Sequence, residues 1–173
     1  MKWHWLTVLT LCLLPSAAMG TGPTPGAQHP DPEGRMVISP SDRCPVCAML
    51  PSRFPRFAAA IQLTDGATYY FCSPGCMITA WLHPESYLGI PPSKRLRALA
   101  SDYFTSRHTD AKDLWWVPGS DVVGPMGPAV VPLGNEEDVR AFRIRHGGWD
   151  PFTLEDLKIE QWEAIRSGRD PSP

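Results

Sequence analysis

Two clusters of sulfur, one on each side of a tight-turn signal, constrain this chain more than any other feature. The first is Cys44-Pro45-Val46-Cys47-Ala48-Met49, two thiols and a thioether within six residues. The second is Cys72-Ser73-Pro74-Gly75-Cys76-Met77, which repeats the same chemistry. Between them Asp65-Gly66 reads as a hairpin turn. Any fold open to this chain has to dispose of that much reactive sulfur.

Thiolate and thioether sulfurs are soft donors, and soft donors select Cu(I) over harder divalent ions. A methionine two residues past the second cysteine tilts the first cluster toward copper, because zinc rarely takes thioether ligands. On an extended backbone Cys47 and Met49 point to the same side and can face one ion. Met126, in the run Gly124-Pro125-Met126-Gly127-Pro128, is the natural third donor, since a Gly/Pro loop cannot pack a core around it. Cys76 falls near the start of a helix, where amide dipoles favour a thiolate.

Other readings of the same residues stay open. Cys44, Cys47, Cys72 and Cys76 have the spacing of a structural four-cysteine zinc site, Cys-x-x-Cys and Cys-x-x-x-Cys separated by a hairpin. Such a tetrahedron would be closed and would carry nothing. In an oxidising compartment the same four thiols allow three disulfide pairings. Cys72 and Cys76 in particular suit a second metal site or a disulfide. Cys44 and Cys47 would also suit a thiol-disulfide redox protein, although Pro51 and Pro55 interrupt the helix such a motif normally opens.

The start of the chain reads as an export signal over residues 1–20. Lys2 precedes an apolar core at 6–14, Pro15 breaks it, and Ser16-Ala17-Ala18-Met19-Gly20 supplies small residues for cleavage after Gly20. The apolar run is shorter than the ~20 residues a membrane-spanning helix needs. Thr10-Leu11 before Cys12 are not the small residues of a lipidation site. Removing 1–20 takes away Lys2 and Cys12, leaving 15 basic against 18 acidic residues and four cysteines. That mild acidity argues against nucleic acid as a partner, and no second long apolar stretch predicts stable membrane insertion. Residues 21–35, rich in Gly and Pro, read as a flexible linker. Residues 36–167 form the folded part, in two lobes of about 36–107 and 108–167, and 168–173 a frayed tail.

The folded part reads as α+β, a strand-strand-helix unit used twice. Residues 57–63 and 68–71 predict strands around Asp65-Gly66. Ser73 and Pro74 open a helix with Met77, Ile78, Trp81 and Leu82 on one face, ended by Pro84. A further strand is expected over 99–105. In the second unit, 114–117 and 129–133 predict strands around a turn-rich loop at 119–127. Asn135 caps a helix with an acidic first turn and with Val139, Phe142 and His146 on one face, stopped by Gly147-Gly148. A last helix is expected over 153–167, with Thr153 and Asp156 at its cap.

No enzyme signature stands out: no glycine-rich phosphate loop, no Gly-x-Ser-x-Gly and no His-Glu-x-x-His. The tryptophans of the folded part, Trp81, Trp115, Trp116, Trp149 and Trp162, are accounted for by core packing. His146 reads as an interior histidine, His83 and His108 lie at element ends, and His29 in the linker is solvated.

The first motif, continued by Pro51-Ser52-Arg53-Phe54-Pro55, resembles the opening motif of the NosL family of copper chaperones for nitrous oxide reductase. The resemblance runs from about residue 40 to 158, through Asp65-Gly66, the stretch 71–77, Gly119-Ser120, Gly124-Pro125-Met126-Gly127 and His146-Gly147-Gly148. It implies a periplasmic Cu(I) metallochaperone with two small α+β lobes and with Cys47, Met49 and Met126 as ligands, Cys44 beside them. It also implies a copper donor and an apo-cuproenzyme acceptor, nitrous oxide reductase among the candidates. This chain departs from the pattern in carrying Ala48 where the family usually has glycine, and in joining Cys72 to Cys76 where many relatives have one cysteine. Family members are often lipoproteins, whereas Cys12 lacks the usual setting.

Overall fold

The structure, a computed structural model, describes residues 22–172. The expected export signal, residues 1–20, lies outside the described residues. Among the described residues no helix is long and apolar enough to cross a membrane.

The first unit forms around the hairpin. Strand β1 (Ala59–Leu63) and strand β2 (Thr68–Phe71) pair antiparallel. Gly66, at φ 89°, supplies the left-handed turn, and Asp65 Oδ1 accepts the Ala67 amide at 3.0 Å. Both strands are almost fully buried. The period of two sends their side chains to opposite faces. Ala59, Ile61 and Leu63 face helix α1 (Pro74–Leu82), joining Met77, Ile78 and Ala80. Ala58, Ala60, Tyr70 and Leu99 face the other way, where Met36 covers them. Strands β3 (Arg95–Ser101) and β4 (His108–Asp110) complete a sheet of order β2-β1-β3-β4.

β3 starts four residues before the strand expected over 99–105. Arg95 and Arg97 hide it in the sequence, but their side chains are used at the sheet's surface. Arg97 Nε donates to Gln62 at 2.9 Å, and Arg95 lies over the Trp81 ring at 4.3 Å. Asp102 ends the strand by accepting the amide and hydroxyl of Thr105. Pro84 ends α1 as expected, and also opens a short helix α2 (Pro84–Leu88).

The segment expected as a flexible linker meets this sheet from Gly26 onward. The Gly26 amide donates to the Thr68 carbonyl at 2.7 Å and the Tyr70 hydroxyl to the Gln28 carbonyl at 3.1 Å. The Met36 amide donates to His108 Nδ1 at 2.7 Å.

The second unit holds strand β5 (Trp115–Val117), a small hairpin of β6 (Val123–Gly124) and β7 (Gly127–Pro128), strand β8 (Val131–Leu133) and helix α3 (Glu136–His146). Asn135 caps α3, its Oδ1 accepting the Asp138 amide at 2.9 Å. Val139 and Phe142 are buried against Val117, Val131 and Leu133. His146 stacks on Phe142 with centroids 4.8 Å apart, and its Nδ1 meets Asp121 at 2.8 Å.

The last helix corrects the sequence reading. Residues 152–153 form strand β9 (Phe152–Thr153), which pairs with β5 and gives the sheet order β8-β5-β9. The Thr153–Asp156 pair does form, with Thr153 Oγ1 donating to Asp156 at 2.7 Å, but it closes a turn. Helix α4 (Ile159–Arg166) begins only after Lys158, whose amide donates to Gln161 Oε1 at 3.0 Å. Competition from β5 for the 152–153 backbone decides the matter, and a local cap signal cannot reveal it. Trp162 of α4 is buried and donates from Nε1 to Thr79 Oγ1 of α1 at 3.1 Å. One apolar cluster therefore runs from β1 and α1 through Trp116 and Val130 to Trp162 and Ile165.

Candidate metal centre

The first sulfur segment is a tight knuckle. The Cys44 amide donates to the Met49 carbonyl at 2.9 Å, and the Ala48 amide donates back to the Cys44 carbonyl at 2.8 Å. Closing so small a loop forces one residue into the left-handed region, and Ala48 takes it at φ 62°. A 3-10 turn at Pro51–Arg53 then leads the chain away. The second segment sits where β2 ends and α1 begins. Cys72 directly follows β2, Ser73 caps α1, and Ser73 Oγ accepts the Cys76 amide at 3.3 Å. Antiparallel pairing of β1 with β2 returns the chain to the level of the knuckle.

The four thiols meet there. The sulfurs of Cys44, Cys47, Cys72 and Cys76 all lie within 4.8 Å of one another, and all four are free cysteines. Cys47 and Cys72 are 3.3 Å apart, Cys72 and Cys76 3.9 Å, Cys76 and Cys47 4.0 Å. A circle through those three sulfurs has a radius of about 2.2 Å, beside a metal–thiolate bond of about 2.3 Å. The spacing is that of thiols around one ion. Cys44, Cys72 and Cys76 are buried and Cys47 is half-buried.

Charge in the cluster is unevenly held. The thiols of Cys72 and Cys76 beside it, helped by the amides of Cys72 and Cys47, hold the Cys44 thiol far below its ordinary range despite burial. The Cys44 thiolate in turn pushes the Cys72 thiol up, with Cys76 and burial adding to it. Cys76 is pushed up chiefly by Cys44 as well, against a lowering contribution from Cys72. A cation bound among these sulfurs would displace thiol protons, so metal uptake here releases protons.

The methionines sit differently. Met49 is half-buried and packs on the apolar cluster that includes Cys44, Cys72 and Cys76. Met126 lies in the turn between β6 and β7 and is 53% exposed. It lines a cavity of about 520 Å³ whose walls also include Cys76, Val46, Trp149 and Trp162. Cys47 and Met49 are not on that wall; the thiol that shares it with Met126 is Cys76. The sequence did not indicate this juxtaposition, because it depends on how the β6–β7 hairpin leans toward the start of α1.

Fold and site together define an α+β domain with a preorganised, mostly buried thiol cluster at the junction of two loops, suited to a soft metal ion. A family model, NosL, matches residues 35–162, and the chain belongs to that family. It is 29% identical over 111 residues to the copper-binding lipoprotein NosL of Stutzerimonas stutzeri, a match covering 62% of this chain. The chain spans 58% of the length of that relative. In fold it is similar to the crystal structure of the copper chaperone NosL from Shewanella denitrificans, with a TM-score of 0.64 at 22% identity, covering 76% of this chain and all of that one.

Proposed function

We propose that this protein is an exported metallochaperone that carries Cu(I) and passes it to an apo-cuproenzyme, nitrous oxide reductase being the leading candidate. Cys47 supplies the half-buried sulfur of the cluster, Cys44 the buried sulfur beside it, and Met49 and Met126 the thioethers. The observation that carries this reading is the cluster of free thiols that holds Cys44 and Cys47 within 4.8 Å of each other, with Cys47 half-buried and Met49 packed against the same apolar cluster. Cu(I) is satisfied by two or three soft ligands, so it can be held and still be open to attack by an acceptor's donor. Neutral thioethers suit the release step, because they bind the ion without adding charge. Membership of the NosL family and the copper-binding relative support the same cargo.

The test is a Cu(I) titration of the reduced protein against a competing chelator. The double variant Cys47→Ser/Met126→Leu is expected to lose at least tenfold in affinity. Parent-like binding by that variant refutes the ligand assignment.

One observation favours a second reading. Four sulfurs within 4.8 Å of one another also suit a divalent ion in a closed tetrathiolate. That reading predicts zinc in the protein purified without added metal and unfolding on chelation, and neither is expected of a copper carrier.

A further inference from the structure

We propose that His146 is a positioning residue for the copper ligand Met126: with Asp121 it pins the root of the β6–β7 hairpin and so sets where the Met126 thioether stands relative to the thiol cluster. The inference rests on the reading of Met126 as a Cu(I) ligand. It gives a role to the run His146-Gly147-Gly148, which the site as described does not use.

The hairpin does not place its own tip. Met126 is 53% exposed and Gly127 beside it sits at φ 96°, so the turn draws little support from the core. Strands β6 and β7 pair with each other, and the Ala129 amide donates to the Val122 carbonyl at 2.9 Å. Those bonds stiffen the hairpin but leave its angle to the domain open. The angle is set at the root, residues 118–121, which zips onto residues 146–149. Ser120 bridges Gly147, the Asp121 amide donates to the His146 carbonyl at 3.0 Å, and the Trp149 amide donates to the Pro118 carbonyl at 2.8 Å. So close an approach requires glycine: a Cβ on Gly119 would lie 2.4 Å from the Trp149 ring.

His146 adds a side-chain tie to this backbone zip. Its Nδ1 donates to Asp121 Oδ1 at 2.8 Å, two residues before β6 begins. The ring that makes the tie is itself fixed, stacked on Phe142 with centroids 4.8 Å apart and set edge-on to Tyr103 at 5.9 Å. Asp121 is 69% exposed, and so exposed a pair adds little to the stability of the fold. Its effect falls on the direction of the hairpin instead. Gly119, Ser120 and Trp149 of the clamp line the same cavity as Met126 and Cys76, so a change at the clamp shifts the thioether relative to the cluster. A donor already held in place costs less to order when the ion arrives, and affinity rises accordingly.

The experiment uses the reduced protein, labelled with ¹³C at the methionine methyls, and one equivalent of Cu(I). In the parent the Met49 and Met126 methyl resonances are both expected to move. In His146→Leu, which keeps an apolar side chain on Phe142, Met49 should move as before while the Met126 shift falls to about half or less. Cu(I) affinity against bicinchoninate should fall about threefold or more in the same variant. Asp121→Ala, a change at an exposed position, should do the same, and His146→Asn, which keeps a donor near the Nδ1 position, should restore both readouts. In a Met126→Leu background His146→Leu should change affinity by less than about twofold, because the two act as one unit. Parent-like Met126 shifts and affinity in both His146→Leu and Asp121→Ala overturn the positioning role and leave Met126 as a ligand. An undiminished effect of His146→Leu in the Met126→Leu background overturns it too. A Met126 methyl that does not move in the parent removes the ligand reading and the positioning role with it.

Discussion

Replacing Ala48 with glycine isolates the strain in the metal-binding knuckle. Ala48 sits at φ 62°, held there by its amide bond to Cys44 and by the Cys44–Met49 bond that closes the loop. Arg43 Nη1 adds a third restraint, donating to the Ala48 carbonyl at 3.2 Å. An L-residue with a Cβ pays about 1–2 kcal/mol in this region. Glycine removes that strain but returns about 0.5–1 kcal/mol through the greater freedom of the unfolded chain. The balance is a stabilisation of about 0.5–1 kcal/mol for Ala48→Gly. At a urea m-value of about 2 kcal/mol/M that is a midpoint raised by about 0.3–0.5 M. Ala48→Val should move the midpoint the other way and further, since a β-branched residue at positive φ is a true outlier. Urea unfolding of reduced, metal-free protein reads both. A glycine variant with an unchanged or lower midpoint, or a valine variant as stable as the parent, refutes the claim that this loop is strained.

Other expected outcomes test the frame around the site. Trp162→Phe should cost about 1–2 kcal/mol, because Thr79 loses the indole donor at 3.1 Å in a buried setting, and thermal melts will show it. Gly148→Ala should destabilise by about 2 kcal/mol or more: Gly148 sits at φ +119°, and an added Cβ would lie 2.6 Å from Val117 Cγ1 and 3.1 Å from the Pro118 carbonyl oxygen. Chemical denaturation close to that of the parent would contradict this. His108 accepts the Met36 amide through Nδ1, so it must be neutral, and burial lowers its pKa, with Asp31 opposing and Arg35 adding to the shift. Its contribution to stability is therefore complete above the unfolded value of 6.5 and is lost as pH falls through the lower folded value. Amide exchange at Met36 should accelerate, beyond the intrinsic pH effect, as pH is lowered below 6.5, and protection that stays constant until the protein unfolds counts against the Met36–His108 bond.

Much of the local structure was legible because its causes are local. Asp65-Gly66 forces a tight turn wherever it stands between strand formers. Ser73 and Asn135 announce their helices because a side-chain oxygen reaches an amide three residues on, and Pro84 stops α1 because it has no amide to give. The kind of chemistry was legible for a similar reason: sulfur is soft in any fold, so Cys44, Cys47, Met49, Cys72, Cys76 and Met126 marked themselves by identity alone. The strand Arg95–Ser101 and the pair Phe152–Thr153 were misjudged because partners far along the chain decide their state. β3 exists to pair with β1, and β9 to pair with β5.

The chain's own order of residues thus determined which atoms can bind and which turns and caps form, since both depend on neighbours within a few positions. Tertiary structure alone decided that four thiols from segments 25 or more residues apart share one small volume, with Cys47 and Cys72 at 3.3 Å. It also decided that Cys76, rather than Cys47, shares a cavity with Met126. Both outcomes follow from the register of β1 on β2 and from the lean of the β6–β7 hairpin. Register and lean are set by burial summed over the whole core, a quantity that no single segment carries.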